Sequence, residues 1–157
     1  MKQFNITIAV GQLTDNELPA ADLELVELAR KSTFRSYAPY SNFSVGAAIR
    51  LSNGEIVCGA NQENVAFPSG TCAERSACFY AHAQYPDARF ETIAIAARGT
   101  DGLPLADPIP PCGACRQSLL QYELLAGRDV PVLLVGRSFT YRLPSVRSLL
   151  PLAFTSL

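Results

Sequence analysis

Apolar and polar residues alternate at the start of the chain, with Phe4, Ile6, Ile8 and Val10 on one side and Gln3, Asn5, Thr7 and Ala9 on the other. That alternation predicts a half-buried strand. From about Asp22 to Arg35 the repeat lengthens. Leu23, Val26 and Ala29 recur at helical spacing, acids come early, and Arg30, Lys31 and Arg35 come late, the charge order a helix dipole favours. Pro39 and Asn42 in "YAPYSNF" end that helix, and "FSVGAAIRL" and "EIVCGANQE" then flank Asn53-Gly54, a strong hairpin signal. "PSGT" predicts a turn with Thr71 as the cap of a helix over 73–85, closed by Pro86. A strand over 90–98 follows, then a loop, "GTDGLPLADPIPP", with four prolines and two glycines. A helix over 113–125, the apolar strand "VPVLLVG", a further strand in "FTYRL" and a short last helix over 145–150 complete the pattern. Strands alternating with helices predict an α/β layered domain, and the early hairpin requires an antiparallel pair in an otherwise partly parallel sheet.

Composition narrows this picture. A chain of 157 residues, 48% hydrophobic and 17% charged, fits one compact domain spanning 1–157, with no repeat or linker that would divide it. Lys and Arg are scattered and the net charge is −1, so no basic surface is available for polymeric nucleic acid. No run approaches the ~20 apolar residues of a membrane helix, and the N-terminus has no signal-peptide core, so a soluble, cytoplasmic protein without a membrane partner is expected. Five cysteines, at 58, 72, 78, 112 and 115, are an odd number that favours thiols or metal ligands over a disulfide framework.

The chemistry gathers around those cysteines. Cys112-Gly113-Ala114-Cys115 opens a predicted helix, and alone it fits a redox dithiol, half a zinc site or two unrelated thiols. Cys72 opens another helix, where free N–H groups favour thiolate, so three thiolates from two helix starts suit a soft divalent ion. Zinc takes four ligands, and three from protein leave one place open, as in catalytic sites. The one histidine, His82, is turned away from Cys72 on the predicted helix. Glu74 follows Cys72 by two residues, too near to share its ligating direction yet well placed to exchange a proton with water at the metal; an isolated glutamate there would be a first-turn acid. Asn61 and Glu63, spaced as i and i+2, project from one face of a strand end. Cys58 and Cys78 read as small buried hydrophobes.

Cys-x-Glu with Pro-Cys-x-x-Cys is the zinc deaminase signature. With "PYSNFSVGAA" (39–48), "GANQENVAFPSGTCAERSA" (59–77), "PCGACRQ" (111–117) and "LLPLAF" (149–154) in order, the chain resembles the short, three-cysteine zinc cytidine deaminases over roughly 22–157. The resemblance implies a three-layer α/β/α domain with a mixed sheet of about five strands, Zn2+ held by Cys72, Cys112 and Cys115, and Glu74 as catalytic proton shuttle. It further implies that Arg75 donates to a ligating thiolate, that Asn61 and Glu63 bind the ribose, and that Phe43 and the Ala73 backbone lie near the nucleoside. Phe154 would reach a neighbouring subunit's base in a homotetramer. The expected reaction is hydrolytic deamination of cytidine and deoxycytidine in pyrimidine salvage. The chain departs from the family pattern at Gln62, in its longer loop 99–111 and in an extra segment, residues 1–20. A blasticidin-type deaminase, which "DLELVE" (22–27) also resembles, a noncatalytic zinc-stabilised domain and a redox dithiol protein are the alternatives.

Overall fold

The computed structural model describes residues 1–156. Its strands are β1 (Gly11–Leu13), β2 (Ser44–Leu51), β3 (Ile56–Ala60), β4 (Phe90–Arg98), β5 (Val132–Val135) and β6 (Thr140–Leu143), and its helices α1 (Ala20–Ser32), α2 (Ala73–Gln84) and α3 (Gly113–Ala126). The six strands form one sheet in the order β1-β6-β5-β4-β2-β3. Among these neighbours only β4 and β5 run parallel.

Alternation along each central strand divides the sheet's two faces. Ala47, Ile49, Leu51, Ile93, Ile95, Val132 and Leu134 point to one side and bury against Ala73, Ala77, Cys78 and Ala81 of α2 and Leu119 and Leu120 of α3. Ala48, Ala94, Ala96, Leu133 and Val135 point to the other and bury against Leu25, Val26 and Ala29 of α1. The three layers α1, sheet and α2 with α3 match the expected architecture. On β2 and β4 the side chains facing α1 are small, Ala48, Ala94 and Ala96, which lets that helix approach closely. A Cβ added at Gly46 would lie 2.3 Å from the Ala29 carbonyl oxygen, so this position excludes every other residue.

The hairpin forms where Asn53-Gly54 predicts it, with Gly54 at φ 86° and its N–H donating to Leu51 O at 2.9 Å. Elsewhere the structure corrects the expectation. The sheet has six strands rather than about five, because Gly11–Leu13 adds antiparallel to β6. The alternating stretch before it forms no strand: residues 1–10 are exposed, Phe4 at 75%. β6, four residues long, pairs with β1 on one edge and β5 on the other, and residues 1–10 pair with no strand among the described residues. α1 stops at Ser32 and passes into a 3-10 turn at Thr33–Arg35, and the last helix shortens to a 3-10 turn at Arg147–Leu149. No helix among the described residues is long and apolar enough to cross a membrane.

One buried acid holds the far end of α3. Glu123, 5% exposed, accepts from the backbone N–H groups of Val130, Val146 and Arg147 at 3.0, 2.7 and 3.0 Å. Replacing it by Ala leaves three N–H groups without an acceptor, each costing about 1–3 kcal/mol when buried. Glu123→Ala should therefore lower the thermal midpoint by about 10 °C in differential scanning calorimetry.

Candidate active site

α2 and α3 present their N-termini at the same end of the sheet, and a cysteine takes the cap position in each. Cys72 (φ −73°, ψ 155°) accepts at its carbonyl from Ser76 N, and Cys112 (φ −66°, ψ 165°) accepts from Arg116 N, both at 3.0 Å. This corrects the expectation that Thr71 caps α2. Both backbone groups of Thr71 are spent on Gln62, N–H to O and O to N–H at 2.9 Å, which keeps Thr71 extended and passes the cap to Cys72. The thiols thus sit where unpaired N–H groups of the first helical turn favour negative charge.

The convergence of the two helix starts depends on close packing against β3. A Cβ at Gly59 would lie 2.5 Å from Ala73 O and 2.6 Å from Ala77 N, so only glycine lets α2 settle at this depth. Ala73 itself is fully buried beneath the site. Cys112 is exposed at the mouth, Cys72 is partly buried and Cys115 fully buried. Cys72 Sγ and Cys112 Sγ are 4.0 Å apart, and the three sulfur atoms all lie within 4.8 Å of one another. Tetrahedral zinc with Zn–S bonds of about 2.3 Å sets sulfurs about 3.8 Å apart, so the donor set fits zinc in both element and spacing.

Charge in the cluster is uneven. The Cys115 thiol, and then Arg75 and the Cys112 thiol, hold Cys72 well below the ordinary thiol range, while the same contact with Cys72 pushes Cys115 up. Arg75 Nη2 approaches Cys72 Sγ at 3.8 Å, and Arg75 pairs with no carboxylate among the described residues. Its Nε is buried without a hydrogen-bond partner. Glu74 is only 5% exposed, and burial, with the Cys72 charge beside it, raises its carboxyl above the usual range. A carboxyl kept from water next to a cluster of thiols is ready to trade a proton.

Cys78 is different in kind. It is fully buried in the core on the α2 side, donates to Arg75 O at 3.6 Å, and burial pushes its thiol up to about 12. His82 packs against Tyr122, with ring centroids 5.4 Å apart, and stands outside the thiol group. Cys58 is partly buried on β3.

A cleft of about 510 Å³ opens onto Cys72 and Arg75 and is lined further by Tyr40, Asn61, Glu63 and Phe67. Asn61 Oδ1 accepts from Ser36 Oγ at 2.6 Å and Val45 N at 2.8 Å, and one Nδ2 hydrogen goes to Phe43 O at 2.9 Å, leaving its second N–H for a ligand. Glu63 accepts from Tyr40 N at 2.9 Å, from Ser41 N at 3.3 Å and from the Ser41 hydroxyl. The Ser41 hydroxyl, and then the Tyr40 N–H, hold this carboxyl below its ordinary range, so it is an ionised acceptor. Phe43 is partly buried at the entrance to β2 and outside the cleft lining, and Phe154, 66% exposed on the C-terminal tail, is also outside that lining.

Tyr40, Phe67 and the Ser41 bond to Glu63 escape a reading of the sequence. Ser41 and Glu63 are 22 residues apart, and nothing local to either marks the pair. The same is true of Arg116, whose Nε donates to Pro111 O at 2.8 Å and whose Nη1 donates to Leu149 O at 2.9 Å. Its place in "PCGACRQ" was the available signal.

An α/β/α sandwich with three convergent thiols at two helix starts and a buried acid among them defines the zinc-dependent deaminase class. Residues 19–126 match the family model described as the cytidine and deoxycytidylate deaminase zinc-binding region. The chain is 38% identical over 135 residues to the cytidine deaminase of Halalkalibacterium halodurans, covering 84% of this chain and 92% of that protein. It is 36% identical over 132 residues to that of Sporosarcina psychrophila, covering 84% and 90%. A crystal structure of cytidine deaminase from Burkholderia pseudomallei superposes with a TM-score of 0.70 at 36% identity, over 83% of this chain and 97% of that one. The enzyme from Mycobacterium tuberculosis gives 0.67 at 30% identity, over 85% and 96%. The chain belongs to the cytidine and deoxycytidylate deaminase family, and zinc is its cofactor.

Proposed function

We propose that this protein hydrolyses cytidine and deoxycytidine to uridine and deoxyuridine with release of ammonia, as a cytoplasmic homotetramer serving pyrimidine salvage. The observation that carries the reading is the buried Glu74 carboxyl beside three sulfur atoms lying within 4.8 Å of one another. Zinc held by Cys72, Cys112 and Cys115 would polarise a water so that it becomes nucleophilic near neutral pH. Glu74 would accept a proton from the attacking water and deliver it to N3 of the pyrimidine as the water oxygen adds to C4. The same carboxyl then takes the proton of the new C4 hydroxyl and passes it to the 4-amino group, the C4–N bond breaks with ammonia leaving, and the oxygen left on C4 becomes the carbonyl of uridine. Arg75 stabilises the Cys72 thiolate, offsetting the charge of three thiolates around one dication.

The ribose lies between the free Asn61 Nδ2 hydrogen and the Glu63 carboxylate, which accepts from a sugar hydroxyl. The base stands over the Ala73 backbone with Phe43 packed near the nucleoside. Phe154 is exposed and stands outside the lining of its own cleft, which supports its reaching the base bound by a neighbouring copy. The chain reads as a single domain with residues 1–20 as an added N-terminal segment. The family match begins at residue 19, which supports that division.

Ammonia release and ultraviolet absorbance, followed with cytidine, deoxycytidine and blasticidin S as separate substrates, test the reading. Both nucleosides should be turned over at least about 100-fold more efficiently than the antibiotic, the scale of discrimination when a site's sugar-binding groups lose their partners. Preferential deamination of blasticidin S would replace the nucleoside reading, and no deamination of any of the three would refute it.

A further inference from the structure

We propose that Gln117 is a positioning residue that aims Phe154 at the base bound by a neighbouring copy; this rests on the reading of Phe154 given above. Gln117 lies two residues beyond Cys115 on α3, and its Nε2 donates to Phe154 O at 2.9 Å. Beyond the 3-10 turn at Arg147–Leu149 the tail has no regular element. Among the described residues this is the only hydrogen bond that reaches 151–156.

The bond falls where direction matters most. Arg116, the preceding residue, fixes the start of the tail through Leu149 O, and Leu150 and Ala153 pack against the core on the α2 and α3 side. Leu152 and Phe154 point outward, 81% and 66% exposed. A tail held at Leu149 and again at the Phe154 carbonyl has fewer directions open to it, which narrows the path by which the ring leaves the subunit. Without the second hold, an aromatic side chain at the end of an unstructured tail must be ordered each time substrate binds. Because the donor sits on the same helical turn as Cys115, the helix that carries two of the thiols in one copy also orients the ring for the next.

The role belongs to substrate binding rather than to proton transfer, and this gives the test. Gln117→Leu keeps the side chain's bulk but removes the donor, whereas Gln117→Lys keeps an N–H donor of similar reach. Steady-state kinetics with cytidine, with zinc quantified on each sample, should show KM raised about fivefold in Gln117→Leu, the scale of one hydrogen bond. Its kcat should stay within about twofold of the parent and its zinc content should be unchanged, as expected when uniform binding alone is lost. Gln117→Lys should recover most of the loss. Phe154→Ala should raise KM at least as far, and the double variant Gln117→Leu/Phe154→Ala should be no worse than Phe154→Ala alone.

A Gln117→Leu protein with parental KM, where Phe154→Ala has raised it, overturns the role of Gln117 and leaves the reading of Phe154 standing. A Phe154→Ala protein with parental KM overturns both. Loss of zinc or of kcat from Gln117→Leu, without recovery in Gln117→Lys, assigns the residue to the zinc helix instead and also overturns the proposal.

Discussion

Glu74→Gln should bind zinc at the parental stoichiometry and lose cytidine turnover by about 10³-fold or more. The carboxamide has nearly the same shape, so the buried site at the start of α2 keeps its packing, with Ala73, Ala77 and Cys78 fully buried around it. What disappears is the ability to carry a proton. One proton-transfer group contributes typically 10²–10⁴ to a rate, and in the proposed reaction a single carboxyl serves both the addition of water and the departure of ammonia. KM should move little, because the proposed sugar contacts, Asn61 and Glu63, lie elsewhere. Single-turnover kinetics on zinc-loaded protein check this, and a Glu74→Gln protein that retains full activity removes the carboxyl from the mechanism.

Cys115→Ala should lose zinc, activity and a large share of stability together. Cys115 is the most buried of the three thiols, so its loss removes the innermost ligand of the cluster. Even altering a residue that merely orients a ligand typically costs 10–100-fold in metal affinity, and removal of a ligand should cost more. A metal present at 1,000 times its dissociation constant stabilises the folded state by about 4 kcal/mol, which corresponds to a drop of about 10 °C in the thermal midpoint for a chain of this size. Differential scanning fluorimetry should show Cys115→Ala melting with chelator-treated parent, and insensitive to added chelator. Cys78→Ala is the contrasting variant. It should bind zinc normally, since Cys78 faces the core and stands outside the thiol group.

The parts of this molecule that short-range chemistry determines can be read from the chain. Asn53-Gly54 supplies the positive φ a tight hairpin needs, the strand over 90–98 falls where its apolar run stops, and the helices start at Ala73 and Gly113. The cysteines and Glu74 were legible because Cys-x-Glu and Cys-x-x-Cys join ligand and acid within a few residues. The remainder depends on partners distant in sequence. Ser41 meets Glu63, Ser36 and Phe43 meet Asn61, and Glu123 gathers N–H groups from Val130, Val146 and Arg147, none of which leaves a local pattern. The N-terminal alternation misled for the same reason. Phe4, Ile6, Ile8 and Val10 have the period of a strand, but a period does not supply a neighbour: the segment stays exposed and pairs with no strand among the described residues, although the outer edge of β3 is open.

The central claim is that this chain deaminates cytidine through a zinc centre built on Cys72, Cys112 and Cys115. Its most direct test is to follow cytidine conversion by ultraviolet absorbance while zinc is withdrawn stepwise by chelator and quantified on the same samples. One zinc per chain, with turnover falling in proportion to zinc and returning when zinc is restored, is the predicted result. Cytidine conversion that persists undiminished in zinc-free protein, or a fully zinc-loaded protein that releases no ammonia, would contradict it.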